Sequence, residues 1–190
     1  RNQLKEGTGV SKTLKAVNRE IYLTANPQEI PEKRPSAKLR LMTPVTMPPI
    51  PYKSWNGVDQ LFDTRFNKPT LLVLWASWCQ PCLKELKELA DAKDKLDRAG
   101  VDVIAFSVDG IGTDSSDPES AQKTLAKMDF PFRSERATQE LLEGLQKMHD
   151  RQAAVKRPLP LPTSILINRD RELVSIYKGP LQINSLLADV

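Results

Sequence analysis

The sequence is poor in the residues that build metal sites, and it has no long apolar run. Its 190 residues include 2 cysteines and 1 histidine, whereas a structural zinc site needs four ligands, usually supplied as two pairs. The longest apolar stretch, residues 71–76, has the length of a buried strand and falls well short of the roughly 18 residues of a membrane span. The 28 basic and 24 acidic residues are interspersed, and no basic run with interleaved aromatics favours nucleic-acid binding. We therefore expect no metal and no nucleic-acid partner.

The length and the proline distribution predict one domain that follows an extended arm. A chain of 190 residues is long enough to bury a core without disulfide staples. Residues 1–26 fit an amphipathic helix or, in their last part, a strand. Residues 27–51 hold seven of the 15 prolines, which forbids a long helix and indicates an extended segment. We predict an arm or linker over 1–50 and a domain over 51–190, whose last helix the chain end truncates.

The apolar patterning predicts an α/β fold in which helices flank a mixed sheet. Residues 70–76 form a continuous apolar run, which is typical of a strand covered on both faces. Asp117 and Pro118 mark a helix start, and the turn at 169–171 between two apolar runs predicts a hairpin. The other expected elements are strands over 101–109, 164–168 and 172–178, helices over 79–98, 118–128, 137–155 and 181–190, and a connector at 130–132.

The two cysteines, Cys79 and Cys82, are two positions apart and allow three interpretations. A zinc site lacks a second pair of ligands, and a passive disulfide that closes so short a loop constrains the unfolded chain little. Redox chemistry fits better, because a strand ends at Trp75 and a helix begins near Cys79, where the helix N-terminus favours a thiolate. Pro81 suits the first turn of this helix. We predict that Cys79 is an exposed attacking thiolate and that Cys82 is the resolving thiol.

Residues 75–82, WASWCQPC, resemble the active-site motif of the thioredoxin superfamily, Trp-x-x-Trp-Cys-x-x-Cys with proline before the second cysteine. The resemblance implies a thioredoxin-like fold and places Trp78, Gln80 and Pro81 at the surface that meets the substrate. A purely packing role for Trp78 is the alternative.

A second segment, LPTSILINRDREL at 161–173, resembles the stretch around the superfamily's cis-proline. The resemblance implies a cis bond between Leu161 and Pro162, packed against the cysteine pair, and a substrate chain that binds the backbone of Leu161. Pro160 is the rival for the cis bond, because the prolines here also fit a simple rigid loop.

Glu85 follows Cys82 by three residues, so the two side chains are neighbours on one helix. It lies at the border of the apolar stripe of Cys82, Leu86 and Leu89, where desolvation would raise its pKa and let it exchange a proton with a thiol. The alternative is a solvated residue of a highly charged helix, like the pair Lys84–Glu88. The spacing Cys-x-x-Cys-x-x-Glu resembles the TlpA/ResA-like branch of extracytoplasmic thiol–disulfide oxidoreductases, in which this Glu adjoins the active site.

The sequence also departs from these patterns. Val73 stands where thioredoxins proper carry a buried Asp, and Arg171 stands where the branch usually has Gly. The approach to the cis-proline, residues 156–162, lacks the usual Gly. These changes flank the substrate-binding face, so the choice of partner does not transfer from the family.

The resemblance implies dithiol–disulfide exchange on protein substrates, and we expect a reductase in the periplasm or cell envelope, with the cytoplasm as the alternative. Such an enzyme needs no bound cofactor, but it needs a separate thiol electron donor. The chain opens with Arg1 and has no hydrophobic targeting segment, so we expect any membrane anchor or further domain to lie outside it. The rivals are a thioredoxin-like binding or assembly module without turnover and, less favoured, a thiol peroxidase.

Overall fold

The computed structural model describes residues 36–62, 67–112, 114–154 and 156–190. Eight described strands form one mixed sheet in the order β1-β8-β7-β4-β5-β6-β2-β3. The strands are β1 (Ala37–Thr46), β2 (Ile50–Lys53), β3 (Asp59–Phe62), β4 (Thr70–Trp75), β5 (Asp102–Ser107), β6 (Arg133–Ala137), β7 (Thr163–Ile167) and β8 (Glu172–Lys178). The helices are α1 (Gln80–Asp91), α2 (Lys93–Ala99), α3 (Pro118–Lys127), α4 (Gln139–Gln152) and α5 (Ile183–Leu187).

The middle of the sheet confirms the apolar patterning and fixes what surrounds the cysteine motif. Every residue of β4 is buried, as expected for a strand covered on both faces. This strand runs parallel to β5, with Trp75 beside Ser107, and antiparallel to β7, with Leu74 beside Thr163. The turn that follows β4 therefore lies between the end of β5 and the beginning of β7.

The extended conformation expected for the proline-rich segment is confirmed for residues 37–46. They form β1, which pairs antiparallel with β8 at one edge of the sheet. The segment is also tied to the β7–β8 turn, where Met47 donates its N–H to the carbonyl of Arg171 at 2.7 Å and accepts a bond from the Arg171 guanidinium at 3.2 Å. Arg171 has a φ of 61°, so it adopts the left-handed conformation for which the related branch uses Gly. A domain boundary at residue 50 stays a prediction, and residues 1–26 lie outside the described ranges.

The predicted helix over 79–98 is in fact two helices, α1 and α2, separated by Ala92. The N–H of Ala92 lies 3.1 Å from the carbonyl oxygens of both Glu88 and Leu89, and such a shared bond tightens the turn. The start of α3 is as predicted, because the Asp117 side chain accepts the N–H of Glu119 at 3.0 Å.

Sequence patterning missed β2, β3 and β6. Strand β6, RSERA, has one buried residue, Ala137, at its end, so no alternation marks it as a strand. Its extended backbone is stabilised by parallel pairing with β5 instead. The hairpin of β7 and β8 matches the prediction. The last helix is shorter than the predicted 181–190, because α5 covers Ile183–Leu187 and ends at the C-cap residue Ala188. None of the helices within the described residues combines the length and apolarity needed to cross a membrane.

Candidate active site around Cys79 and Cys82

The two cysteines form a disulfide at the N-terminus of α1, with sulfurs 2.05 Å apart. Cys79 is the N-cap residue, and Pro81 lies in the first turn, as predicted. Among the residues that the structure describes, no side chain caps this helix end, and the first turn has no acidic residue. The positive end of the helix dipole therefore remains available to stabilise a thiolate at Cys79.

The prediction that Cys79 is exposed is wrong for this oxidised structure, since both cysteines are fully buried. The disulfide draws Cys79 toward Cys82, which lies in the buried stripe of α1 together with Leu86 and Leu89. Of the neighbouring residues, Gln80 is exposed, whereas Trp78 and Pro81 are half-buried. A thiol of a partner protein therefore has to reach a disulfide bond that is buried.

Glu85 lies inside the buried stripe of α1 rather than at its border, and its residue exposure is 2%. Its Oε1 accepts a hydrogen bond from the Ser164 hydroxyl at 2.6 Å, and its Oε2 accepts the N–H of Leu181 at 2.8 Å. Burial raises the pKa of Glu85 to about 7, and the two hydrogen bonds offset only part of this effect. The carboxyl group thus exchanges a proton near neutral pH, one helical turn from Cys82. Sequence analysis missed Ser164, although it lies two residues after the predicted cis-proline.

The bond between Leu161 and Pro162 is cis, which confirms the prediction and excludes the rival bond at Pro160. Both residues are buried. The loop is held by the N–H of Gly179, which donates to the Pro162 carbonyl at 2.9 Å, and by the Thr163 hydroxyl, which donates to the Pro160 carbonyl at 2.6 Å. Within the described ranges, the backbone N–H and C=O of Leu161 make no hydrogen bond.

Two carboxylates that sequence analysis did not single out hold the turn in front of Cys79. Asp109, which is 3% exposed, accepts the backbone N–H of Ser77 at 3.0 Å and its hydroxyl at 2.5 Å. Asp114 accepts the indole N–H of Trp78 at 3.0 Å. The sequence patterns place Asp109 at the end of a strand and Asp114 in a polar loop, and they do not indicate these contacts.

The chain's single histidine does not contribute to this site. His149 is fully buried on α4, with Nδ1 3.1 Å from the Asp150 carboxylate and Nε2 3.3 Å from the Lys178 ammonium. A lysine ammonium on Nε2 leaves that nitrogen no place for a metal ion. In the part of the chain that the structure describes, no three His, Cys, Asp or Glu side chains come together as metal ligands would.

Comparison with sequence families shows that the chain belongs to the AhpC/TSA family, which it matches over residues 54–176. Comparison with curated proteins finds no match.

Solved structures share the fold. A thiol:disulfide interchange protein of the thioredoxin family from Chlorobium tepidum TLS superposes with a TM-score of 0.60 at 16% identity, covering 79% of this chain and 96% of that one. A DsbF homologue from Corynebacterium diphtheriae gives a TM-score of 0.59 at 14% identity, with coverages of 84% and 93%. StoA from Bacillus subtilis gives 0.51 at 19% identity, with coverages of 75% and 96%. At these identities the likeness concerns the fold, and it confirms the thioredoxin-like architecture.

Proposed function

We propose that this member of the AhpC/TSA family is a thiol–disulfide oxidoreductase that acts on protein disulfides, and that it works as a reductase. The observation that carries the proposal is the Cys79–Cys82 pair at an uncapped helix N-terminus, one turn from the buried carboxyl group of Glu85. The names of the structural neighbours from Chlorobium tepidum and Corynebacterium diphtheriae give it further support. The spacing of Glu85 from the pair agrees with the TlpA/ResA-like branch.

The first half of the exchange is an attack by reduced Cys79. Its thiolate, stabilised by the N-terminus of α1, attacks one sulfur of a substrate disulfide. A bond forms between this sulfur and Cys79, the substrate S–S bond breaks, and the second substrate sulfur leaves as a thiolate. The product is a mixed disulfide.

The second half releases the substrate. Cys82 gives its proton to the Glu85 carboxylate and attacks the Cys79 sulfur. This forms the intramolecular disulfide and breaks the mixed disulfide, so the substrate sulfur that was bound to Cys79 leaves as a thiolate. Two electrons pass from the cysteine pair to the substrate. Because the pKa of Glu85 is raised to about 7 by burial, its carboxylate form accumulates above neutral pH, and resolution should speed up as the pH rises through this value.

The surface around the pair has the groups to hold an extended substrate chain. The backbone N–H and C=O of Leu161, next to Pro162, can bond to the substrate backbone as an added strand would. On the other flank, Trp78 offers a half-buried indole, and Gln80 and Pro81 lie between the cysteines. These five residues form the substrate-binding surface in the proposal.

The proposed reductase works outside the cytoplasm, in the periplasm or cell envelope, and receives its electrons from a separate thiol protein. The electrons reside in the cysteine pair, so the exchange needs no bound cofactor.

The test is the midpoint potential of the Cys79/Cys82 couple, measured in graded dithiol/disulfide buffers by mass tagging of free thiols. A value near or below about −250 mV supports a reductase, whereas one above about −150 mV indicates a disulfide donor. Cys79→Ser should abolish reduction of insulin disulfides, and Cys82→Ser should accumulate the mixed disulfide. A pair that does not titrate reversibly would leave the binding-module interpretation in place, and peroxide consumption faster than that of free thiols would favour a peroxidase.

A further inference from the structure

The loop after β5 accepts hydrogen bonds from two consecutive residues of the active-site turn. The steps of the proposed disulfide exchange do not involve this loop. Asp109 binds Ser77 through both its N–H and its hydroxyl, and Asp114 binds the indole of Trp78. We propose that Asp114 is a positioning residue that holds the Trp78 indole in the orientation in which it contacts the substrate chain. This inference rests on the proposed function and names a residue that sets how well substrate binds.

The Asp114 carboxylate is itself held in place by its own loop. Its Oδ1 accepts the backbone N–H of Ser116 at 3.0 Å, and its Oδ2 accepts the Ser116 hydroxyl and lies 3.3 Å from the N–H of Gly110. The acceptor offered to Trp78 is therefore fixed before substrate arrives, and a fixed acceptor orients an indole at little entropic cost.

The sheet order gives this contact its place in the site. Because β4 lies between β7 and β5, the cis-proline loop flanks the Cys79 turn on one side and the loop carrying Asp114 flanks it on the other. A substrate chain bound to the Leu161 backbone occupies the first flank. Trp78, tied to Asp114, forms the contact surface on the second flank.

Loss of the Asp114 contact should weaken substrate binding without altering the nucleophile. A partly buried indole without a partner for its N–H turns toward water and leaves its binding orientation. Loss of the binding orientation should then raise KM by about three- to tenfold, which is the size of one ordinary net hydrogen bond. The reactivity of Cys79, which depends on the N-terminus of α1, should stay the same.

The experiment is a double-mutant cycle in the reduced protein with insulin as the disulfide probe. Asp114→Ala and Trp78→Phe should each raise KM by about three- to tenfold with kcat within about twofold, and the double variant should resemble either single one. The rate at which iodoacetamide alkylates Cys79 should be equal in all variants. Ser115→Ala, an exposed position in the same loop, is the matched control and should match the wild type.

Three results would overturn the inference. Additive effects in the double variant would show that Asp114 does not act through the indole, and a parallel fall in alkylation would show that it acts on Cys79 itself. An unchanged KM in Trp78→Phe would remove the indole from binding, and this variant keeps the test valid if Asp114→Ala fails to fold. If the wild type does not reduce insulin, the proposed function fails and takes the inference with it, so the two failures are distinguishable.

Discussion

Two carboxylates in this protein have little contact with solvent, one in the core and one near the surface, and their pKa values move in opposite directions. Glu85 below the disulfide belongs to the core, with a residue exposure of 2%. Asp189 near the chain end is a half-buried residue whose side chain, 1% exposed, lies against Lys38 and Arg40. Burial raises the pKa of Glu85 to about 7. At Asp189 burial also acts to raise the pKa, but hydrogen bonds from Lys38 and Tyr177 and the charges of Lys38 and Arg40 outweigh it, so the pKa falls.

The chemistry of the partners, together with the deeper burial of Glu85, explains the difference. Glu85 is bound by neutral donors, the hydroxyl of Ser164 and the N–H of Leu181, which offset desolvation only in part. Asp189 has the Lys38 ammonium at 2.7 Å and the Arg40 guanidinium at 3.1 Å. A buried carboxylate thus stays ionised where the fold brings cations to it, and it becomes a proton carrier near neutral pH where the fold brings neutral donors.

The largest effect that this comparison predicts is a loss of stability of the oxidised protein as Glu85 ionises. The folded pKa of about 7 lies above the ordinary value of 4.5, so the folded state holds a proton that the unfolded chain releases. Stability is therefore full below about pH 4.5 and falls as the pH rises toward 7, by about 3 kcal/mol for a shift of this size. Urea unfolding of the oxidised protein from pH 4 to 8 measures this change.

Glu85→Gln is the control for this measurement. The amide can accept the N–H of Leu181 and donate to the Ser164 hydroxyl, so it replaces the protonated carboxyl group without ionising. The difference in unfolding free energy between wild type and variant should change with an inflection between pH 4.5 and 7. A difference that is constant with pH would show that Glu85 ionises in the folded protein as it does in the unfolded chain.

The second prediction concerns Asp189, which fastens β1 to the end of the chain. Asp189→Asn should cost about 1–2 kcal/mol at pH 7, because it removes a charged acceptor from hydrogen bonds with Lys38 and Tyr177. Since the folded pKa lies below the ordinary value, this stabilisation is present above about pH 4 and is lost as the pH falls through the folded pKa. The exposed pair Glu119–Lys123 provides the control, and Glu119→Gln should cost no more than about 0.5 kcal/mol. Equal costs for the two variants would contradict the prediction.

The third prediction concerns the effect of a neutral hydrogen-bond donor on the pKa of Glu85. Ser164→Ala removes a hydrogen bond that lowers the pKa of Glu85, so the pKa should rise further and the inflections of stability and of exchange rate should move to higher pH. The cost at pH 8 should be about 1 kcal/mol. Ser107→Ala is the matched control, because this buried serine donates to Asp109 instead. It should lower stability and leave the Glu85 inflection in place.

The sequence allowed prediction of those parts of the site that lie close together along the chain. Cys79, Cys82 and Glu85 share one helix, and their spacing indicated both the redox pair and the acid beside it. The contacts that tune and orient the site join distant positions: Ser164 and Glu85 are 79 residues apart, and Trp78 and Asp114 are 36 residues apart. A single sequence shows which residue types are present but not which distant pairs the sheet brings together.

The same reasoning applies to burial and to the strands that were missed. Exposure of Cys79 was predicted from its position at a helix end, but the disulfide and the turn that Asp109 holds in place bury it. Strand β6 has no apolar alternation because its conformation depends on its neighbours in the sheet. Local patterns therefore predicted the buried centre of the sheet and failed at its polar margin.

The smallest expected effect is also the most direct test of the comparison. Lys38→Ala with Arg40→Ala removes both cations from Asp189 and leaves it with neutral donors, the hydroxyl groups of Tyr177 and Ser175. The two cationic side chains are 34% and 60% exposed, so the double variant should lose no more than about 1 kcal/mol at pH 7. The pKa of Asp189, followed by carboxyl NMR titration, should nevertheless rise above its wild-type value. A pKa that stays at its wild-type value without the cations would contradict the assignment of the lowered pKa to Lys38 and Arg40.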